Sequence, residues 1–330
     1  MDVERRELFK KWYTWSLTYK DCDPAIWMAN YIFKRYEFNI EQRYWLCWFY
    51  ANTYYYPTAF LLWNEFPDYE LCDQEHITEW NTKNYSRLRY QTDTKYNKGH
   101  LPKMFESYKE NVGNSLQSEY FESLYGDNEV QNFENIWKHV NKNFFKFGRY
   151  TTWFYLQSLN MCCNVPMIPS SLMLSNYEGS KSHRNGLCLA LGKDEWVNTK
   201  LTAKETEWLE FEARSLWFEE IDHPDANPFT METCLCSFKK IFRETNGRYL
   251  GYYLDRQSEE IQKVEQDGWN GIAWYVLWQA RDEVLDKRLS TKNAKIQKEK
   301  YTQFVRSGKL ERLDWLYPEE STKEGIELFI

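Results

Sequence analysis

The sequence is poor in the residues that make turns, with 13 glycines and 9 prolines in 330 positions. That excludes a turn-rich β-sandwich and favours long helices. It has no run of 18 apolar residues, and its beginning, MDVERRELFKKW, lacks the apolar stretch of a signal peptide. A cytoplasmic location is therefore expected, host cytoplasm if the source is viral, with no membrane partner. A P-loop motif (GxxxxGKS/T) and a GxGxxG turn are missing, which removes the common phosphate cradles for nucleotides. CxxC pairs, HExxH and GxSxG are absent as well, and the five histidines are dispersed. No metal site is expected, because the helical placement of Cys234 and Cys236 points their thiols apart. The eight cysteines sit mostly in apolar runs and read as reduced thiols, with no disulfide framework.

Aromatic side chains, in contrast, are abundant, at 18% of the chain, while the mean hydropathy is −0.77. The rings are offset by charged and amide side chains, and the chain is long enough to bury one large core or two modest ones. Residues 23–68 hold 16 aromatics in 46 positions. Such density suits either an unusually aromatic helical core or a platform for flat ligands such as nucleobases. Of Trp45, Trp48, Tyr50, Tyr54, Tyr55 and Tyr56, about half are expected in the core, since a helix buries every face only when another element covers each one.

The net charge is −7 and unevenly spread. Residues 83–109 carry seven Lys/Arg against two Asp/Glu, residues 138–149 four against none, and residues 281–312 ten against five, whereas 204–232 carry nine acids against two bases. A basic face on an acidic protein fits this pattern, and so do ordinary solvated helix faces.

Helix signals recur along the chain. A first helix is expected over residues 4–18, and DCDP then supplies an acid and a proline that start a second one to about Arg35. Trp45, Trp48, Phe49 and Asn52 at i, i+3, i+4 and i+7 mark one face of a third helix over 40–55, which Pro57 kinks or ends before a further helical turn over 58–65. Residues 73–100 show no clean period and read as a long basic connection, a length that usually serves binding. Further helices are expected near 102–112, 116–125, 129–143, 202–220, 230–243, 252–266 and 268–286. The run LCLALG leaves a strand or a buried helical turn open for 186–192. One helical domain over 1–290 is expected, or two lobes dividing near residue 160, followed by a basic helix and loose tail over 291–330.

Four stretches set arginine beside glycine and aromatics: FKFGRY (145–150), SHRNGL (182–187), TNGRYLGYY (245–253) and LDRQ (254–257). Arginine offers a rigid fork of donors for phosphate oxygens, and glycine lets backbone N–H groups approach an anion. Arg149, Arg184, Arg248, Arg256 and Lys146 are thus candidate phosphate ligands. At each position a surface arginine near a helix-capping glycine is the competing reading. Asp255 beside Arg256 is either a general base or part of a surface ion pair.

The pattern DPxxxMxxYI, EQRYWLCWFYANTYYYPTAF and FPD, followed by FGRYTTWFYLQSL, SxRNGL, the CxFKK of 236–240 and GYYLDR, resembles the amino acid:DNA transferases. These are also called α-glutamyl/putrescinyl thymine pyrophosphorylases and belong to bacteriophage thymine hypermodification. The resemblance runs over roughly residues 10–265. It implies a mainly α fold related to the helix-hairpin-helix DNA glycosylases, although no LPGxGxxxA hairpin is present. It implies transfer of the amine of an amino acid or polyamine to a pyrophosphorylated 5-hydroxymethyluracil in double-stranded DNA, with loss of pyrophosphate. A separate 5-hydroxymethyluracil DNA kinase would supply that substrate. Such a reaction calls for a flipped base in an aromatic cleft and a basic DNA-facing surface. Asn52, Tyr54 and Tyr56 are expected at the base, Arg43 or Arg248 at the donor carboxylate, and Arg87, Arg89, Lys95 and Lys98 on DNA. Asp255 and His183 are the expected proton acceptors, and pyrophosphate would be held by the arginines, with Mg2+ as a possible helper. A non-catalytic DNA-binding relative that positions other modification enzymes, or a glycosylase for the modified base, are the alternatives.

Overall fold

Local capping chemistry sets the helix boundaries in the computed structural model, which describes residues 3–243 and 247–285. The elements are α1 (Val3–Thr18), α2 (Pro24–Arg35), α3 (Ile40–Thr53), α4 (Tyr56–Glu65), α5 (Gln74–Asn84), α6 (Leu101–Val112), α7 (Gln117–Glu122) and α8 (Glu129–Asn143). They continue as α9 (Arg149–Cys163), α10 (Tyr177–Ala190), α11 (Ala203–Ser215), α12 (Pro228–Phe238), α13 (Tyr252–Gln266) and α14 (Trp274–Val284). Among the described residues the fold is mainly helical and contains no strand. None of these helices is long and apolar enough to cross a membrane.

The chain divides into two compact units, each discontinuous in sequence. One comprises described residues 3–24, 170–243, 247–256 and 285; the other comprises 25–169 and 257–284. The expected tail over 291–330 lies outside the described residues.

In the second unit α3 is covered on one side by α4 and on another by α9. Asn39 and Gln42 cap α3 reciprocally, and Tyr54, in the left-handed conformation at φ 43°, ends it. Pro57 therefore does not kink α3; it stands in the first turn of α4, where its missing N–H costs nothing. Trp45 lies 4.8 Å from Trp48 and 4.3 Å from Phe49, ring to ring, and both Trp45 and Trp48 are fully buried. Tyr50, Tyr55 and Tyr56 are buried too, which leaves Tyr54 as the half-exposed member of the six. The aromatic segment is thus mostly core, because two helices cover α3 where the sequence pattern accounted for one covered face.

One more expectation is corrected, and one open reading is decided. Residues 73–100 are not one extended connection, since Asp73 caps α5 over its first eleven residues and single helical turns follow at Tyr85–Arg87 and Lys95–Asn97. The segment 186–192 forms no strand: α10 runs through it to Ala190, and a short apolar run looks alike in a buried helix and a buried strand.

In the first unit α10 packs against α12, and α1 packs against both. Glu210 on α11 accepts the backbone N–H groups of Leu172 and Leu174 at 2.8 and 2.6 Å, fixing the approach to α10. Arg6 on α1 pairs with Glu212 at 2.6 Å and with Glu220 in the wide turn that extends α11.

Candidate functional site

The α10–α12 contact is closer than side chains normally permit, since a Cβ added at Gly186 would lie 2.1 Å from the Leu235 carbonyl oxygen. This brings His183, one turn before the glycine, against Glu232 and Cys236 on either side of Leu235. The Nδ1 of His183 lies 3.0 Å from Oε1 of Glu232, and its Nε2 lies 3.2 Å from the carbonyl oxygen of Leu172. Both side chains are buried, at 1% and 4% exposure. Because both ring nitrogens face oxygens, this imidazole presents no lone pair to open solvent. Cys236 completes the cluster. Its thiol is pushed up to about 12, first by burial and then by Glu232, and the three ligating atoms lie within 4.8 Å of one another. Cys234 faces elsewhere, toward Cys22 and Tyr13.

Cations gather where α12 ends. The backbone N–H of Arg248 donates to the Lys240 carbonyl oxygen at 3.1 Å, folding the chain back on itself. Burial lowers Lys240 to about 8, helped by the positive charges of Arg248, Lys239 and Arg243. The Arg248 guanidinium stacks 3.6 Å above the Tyr252 ring, and its buried Nε has no hydrogen-bond partner. Tyr253 links the two clusters: burial raises its phenol, while Arg248 and Arg256 oppose the rise and Cys236 adds to it. Histidine, carboxylate, thiol, lysine and two arginines therefore share one neighbourhood of the first unit.

The N-terminus of α13 borders the same place. Asp21 accepts the N–H groups of Gly251, Tyr253 and Leu254 at 3.0, 2.9 and 3.1 Å. Burial outweighs those bonds and pushes its carboxyl up to about 7. Asp255, half-buried, accepts the Tyr249 hydroxyl at 2.7 Å. Nearby Thr233 donates to Asp23 at 2.7 Å.

Of the residues expected from sequence, His183, Arg184, Arg248, Asp255 and Arg256 fall in this unit. Arg184 is 1% exposed and stacks 4.0 Å over Tyr177; its Nε and Nη2 are buried without hydrogen-bond partners. The others lie in the second unit. Arg149 is buried at the first residue of α9, 5.0 Å from the Trp153 ring, and exposed Lys146 sits beside Phe145. Asn52 and Tyr56 are core residues, at 0% and 1% exposure. Tyr54 packs its ring 4.0 Å from Phe154, and Arg43 donates to the Phe38 carbonyl oxygen at 3.0 Å.

The basic segment is largely engaged within its own unit. Arg89 grips Asp267 through two bonds of 2.6 and 2.7 Å, Arg87 stacks 4.0 Å over Trp269, and Lys98 donates to the Ser86 carbonyl oxygen. Lys95 lies beside the exposed Tyr96 ring.

Sequence reasoning missed Glu232, Cys236 and Lys240 as site residues. The signal was present in part, since Glu232 and Cys236 are spaced i, i+4 and Lys240 closes the CxFKK string. It lacked the partner helix that brings His183 to them.

The sequence profile of the family described as Amino acid:DNA transferase matches residues 7–246. A serinyltransferase of Salmonella phage ViI is 28% identical over 262 residues, an alignment covering 73% of this chain and 63% of the relative. The chain thus spans less than two thirds of that relative's length. No solved structure matches it.

Proposed function

The chain belongs to the amino acid:DNA transferase family, and on that premise we propose that it joins the amine of an amino acid or polyamine to a pyrophosphorylated 5-hydroxymethyluracil in DNA. The amine lone pair attacks the methylene carbon on C5 of the base, the carbon–oxygen bond breaks, and pyrophosphate leaves with the bonding electrons. The new ammonium then loses one proton to a base. The observation that carries this reading is the Lys240–Arg248 cluster, in which burial first, and then the like charges of Arg248, Lys239 and Arg243, depress Lys240 to about 8. A polyanion relieves that repulsion, and a departing pyrophosphate is the polyanion this reaction makes.

Arg256, which like Arg248 acts on the Tyr253 phenol, adds a third cation. Asp255 is the proton acceptor in this reading, with the Tyr249 hydroxyl holding its carboxylate in place. The relative's name makes serine the first amine to try. Incubation with DNA carrying the pyrophosphorylated base and a mixture of amino acids and polyamines tests the proposal, with nucleosides read by mass spectrometry. A nucleoside in which the amine has replaced the pyrophosphate on the C5 methylene supports it. Release of free base points to a glycosylase instead, and unchanged DNA with every amine overturns it.

A further inference from the structure

We propose that His183, Glu232 and Cys236 form a binding site for a divalent metal ion of the zinc class. A ring nitrogen of His183, a carboxylate oxygen of Glu232 and Sγ of Cys236 all lie within 4.8 Å of one another, Nδ1 itself stands 3.0 Å from Oε1 of Glu232, and Glu232 and Cys236 sit one turn apart on α12. In tetrahedral coordination, bond lengths of about 2.0 to 2.3 Å set such atoms roughly 3.3 to 3.7 Å apart, so small side-chain rotations close the site. The second sphere is already in place, because Nε2 of His183 faces the Leu172 carbonyl oxygen at 3.2 Å. An imidazole that donates its distal N–H to a backbone carbonyl is oriented for ligation through the other nitrogen. Gly186 makes the arrangement possible by letting the two helices meet at backbone distance.

The donor set selects the metal. Nitrogen, sulfur and one carboxylate suit zinc or cobalt, whereas magnesium prefers oxygen ligands only. Binding displaces the thiol proton of Cys236, and thiolate plus carboxylate balance the charge of the ion. Three protein ligands leave one coordination position open, within the same neighbourhood as Lys240 and Arg248. An anionic oxygen fits that position, and under the transfer reaction proposed above it belongs to the leaving pyrophosphate. This last role rests on that reading; metal binding itself does not.

The test is therefore made without substrate. The metal-stripped full-length protein is titrated with cobalt(II) and, separately, with zinc(II) after removal of any tag, while alkylation of Cys236 is mapped by mass spectrometry. The site predicts uptake of about one equivalent, a near-ultraviolet thiolate-to-cobalt band, and zinc protection of Cys236 from alkylation. Cys236→Ser should remove the band and weaken zinc binding by more than the roughly 10- to 100-fold typical of second-sphere changes. Glu232→Gln should weaken binding and keep the band. Should a variant fail to fold, alkylation protection in the unaltered protein still decides. Absence of uptake, or cobalt bound with no sulfur band and no protection of Cys236, overturns the site while leaving the transferase reading intact.

Discussion

Gly186 meets the backbone of Leu235 so closely that a methyl group would stand 2.1 Å from a carbonyl oxygen. No rotamer relieves a clash between a Cβ and a main-chain atom, so α10 and α12 would have to separate. Gly186→Ala is expected to cost about 2 to 4 kcal/mol in chemical denaturation. An effect below about 0.5 kcal/mol, within the range of surface substitutions, would show that the helices part easily.

Asp21 links the end of α1 to the start of α13 through three backbone N–H groups. Its folded carboxyl, at about 7, lies above the ordinary carboxylate range. The folded state therefore holds a proton that the unfolded chain has released, and the associated stability is lost as pH rises toward 7 and slightly beyond. Relative to Asp21→Asn, the protein should lose stability between about pH 4, where the unfolded carboxyl ionises, and about pH 7. A pH-independent difference between the two would contradict this.

Lys240, at about 8 in the folded protein, carries its charge below that pH. Anion binding favours the charged form, so affinity for inorganic pyrophosphate should decline as pH rises above 8. Lys240→Gln should lower affinity at pH 7 by about tenfold or more and flatten the decline, as titration calorimetry would show. An unchanged affinity would place the anion elsewhere.

Asp255→Asn preserves the bond from the Tyr249 hydroxyl in shape and removes the base. Its kcat is expected to fall by roughly 100-fold or more, with a smaller fall for Tyr249→Phe. Equal loss in both variants would assign Asp255 a structural part only.

Because Asp267 holds Arg89 while Lys95 stands beside exposed Tyr96, the two should differ in DNA binding. Lys95→Ala should reduce the slope of log affinity against log salt by about one, whereas Arg89→Ala should leave it nearly unchanged. The reverse order would mean that Arg89 exchanges Asp267 for a phosphate.

What the sequence made legible followed from local chemistry. The third helix was readable because Trp45, Trp48 and Phe49 recur on one face, and all three are core residues. The fifth was not, because Gln74–Asn84 buries only Ile77, Asn81 and Asn84 and so lacks an apolar period. Burial of Tyr50, Tyr55 and Tyr56 depends on what covers α3, a pairing of segments distant in sequence. Two of the unit boundaries fall after the first residue of α2 and inside α13, where no linker composition marks them. His183, Arg248, Asp255 and Arg256 stood out through their motifs. Glu232 looked like one acid among nine in its segment until α10 placed a histidine against it.

The most direct test of the central claim is a stoichiometry. The protein is incubated with DNA bearing the pyrophosphorylated base and one nitrogen-15-labelled amine at a time, beginning with serine. Pyrophosphate release and labelled nucleoside are then measured in the same sample. Amine transfer by displacement predicts equal amounts of the two, with the label in the nucleoside and no free base. Pyrophosphate without labelled nucleoside, or no reaction with any amino acid or polyamine, would contradict it.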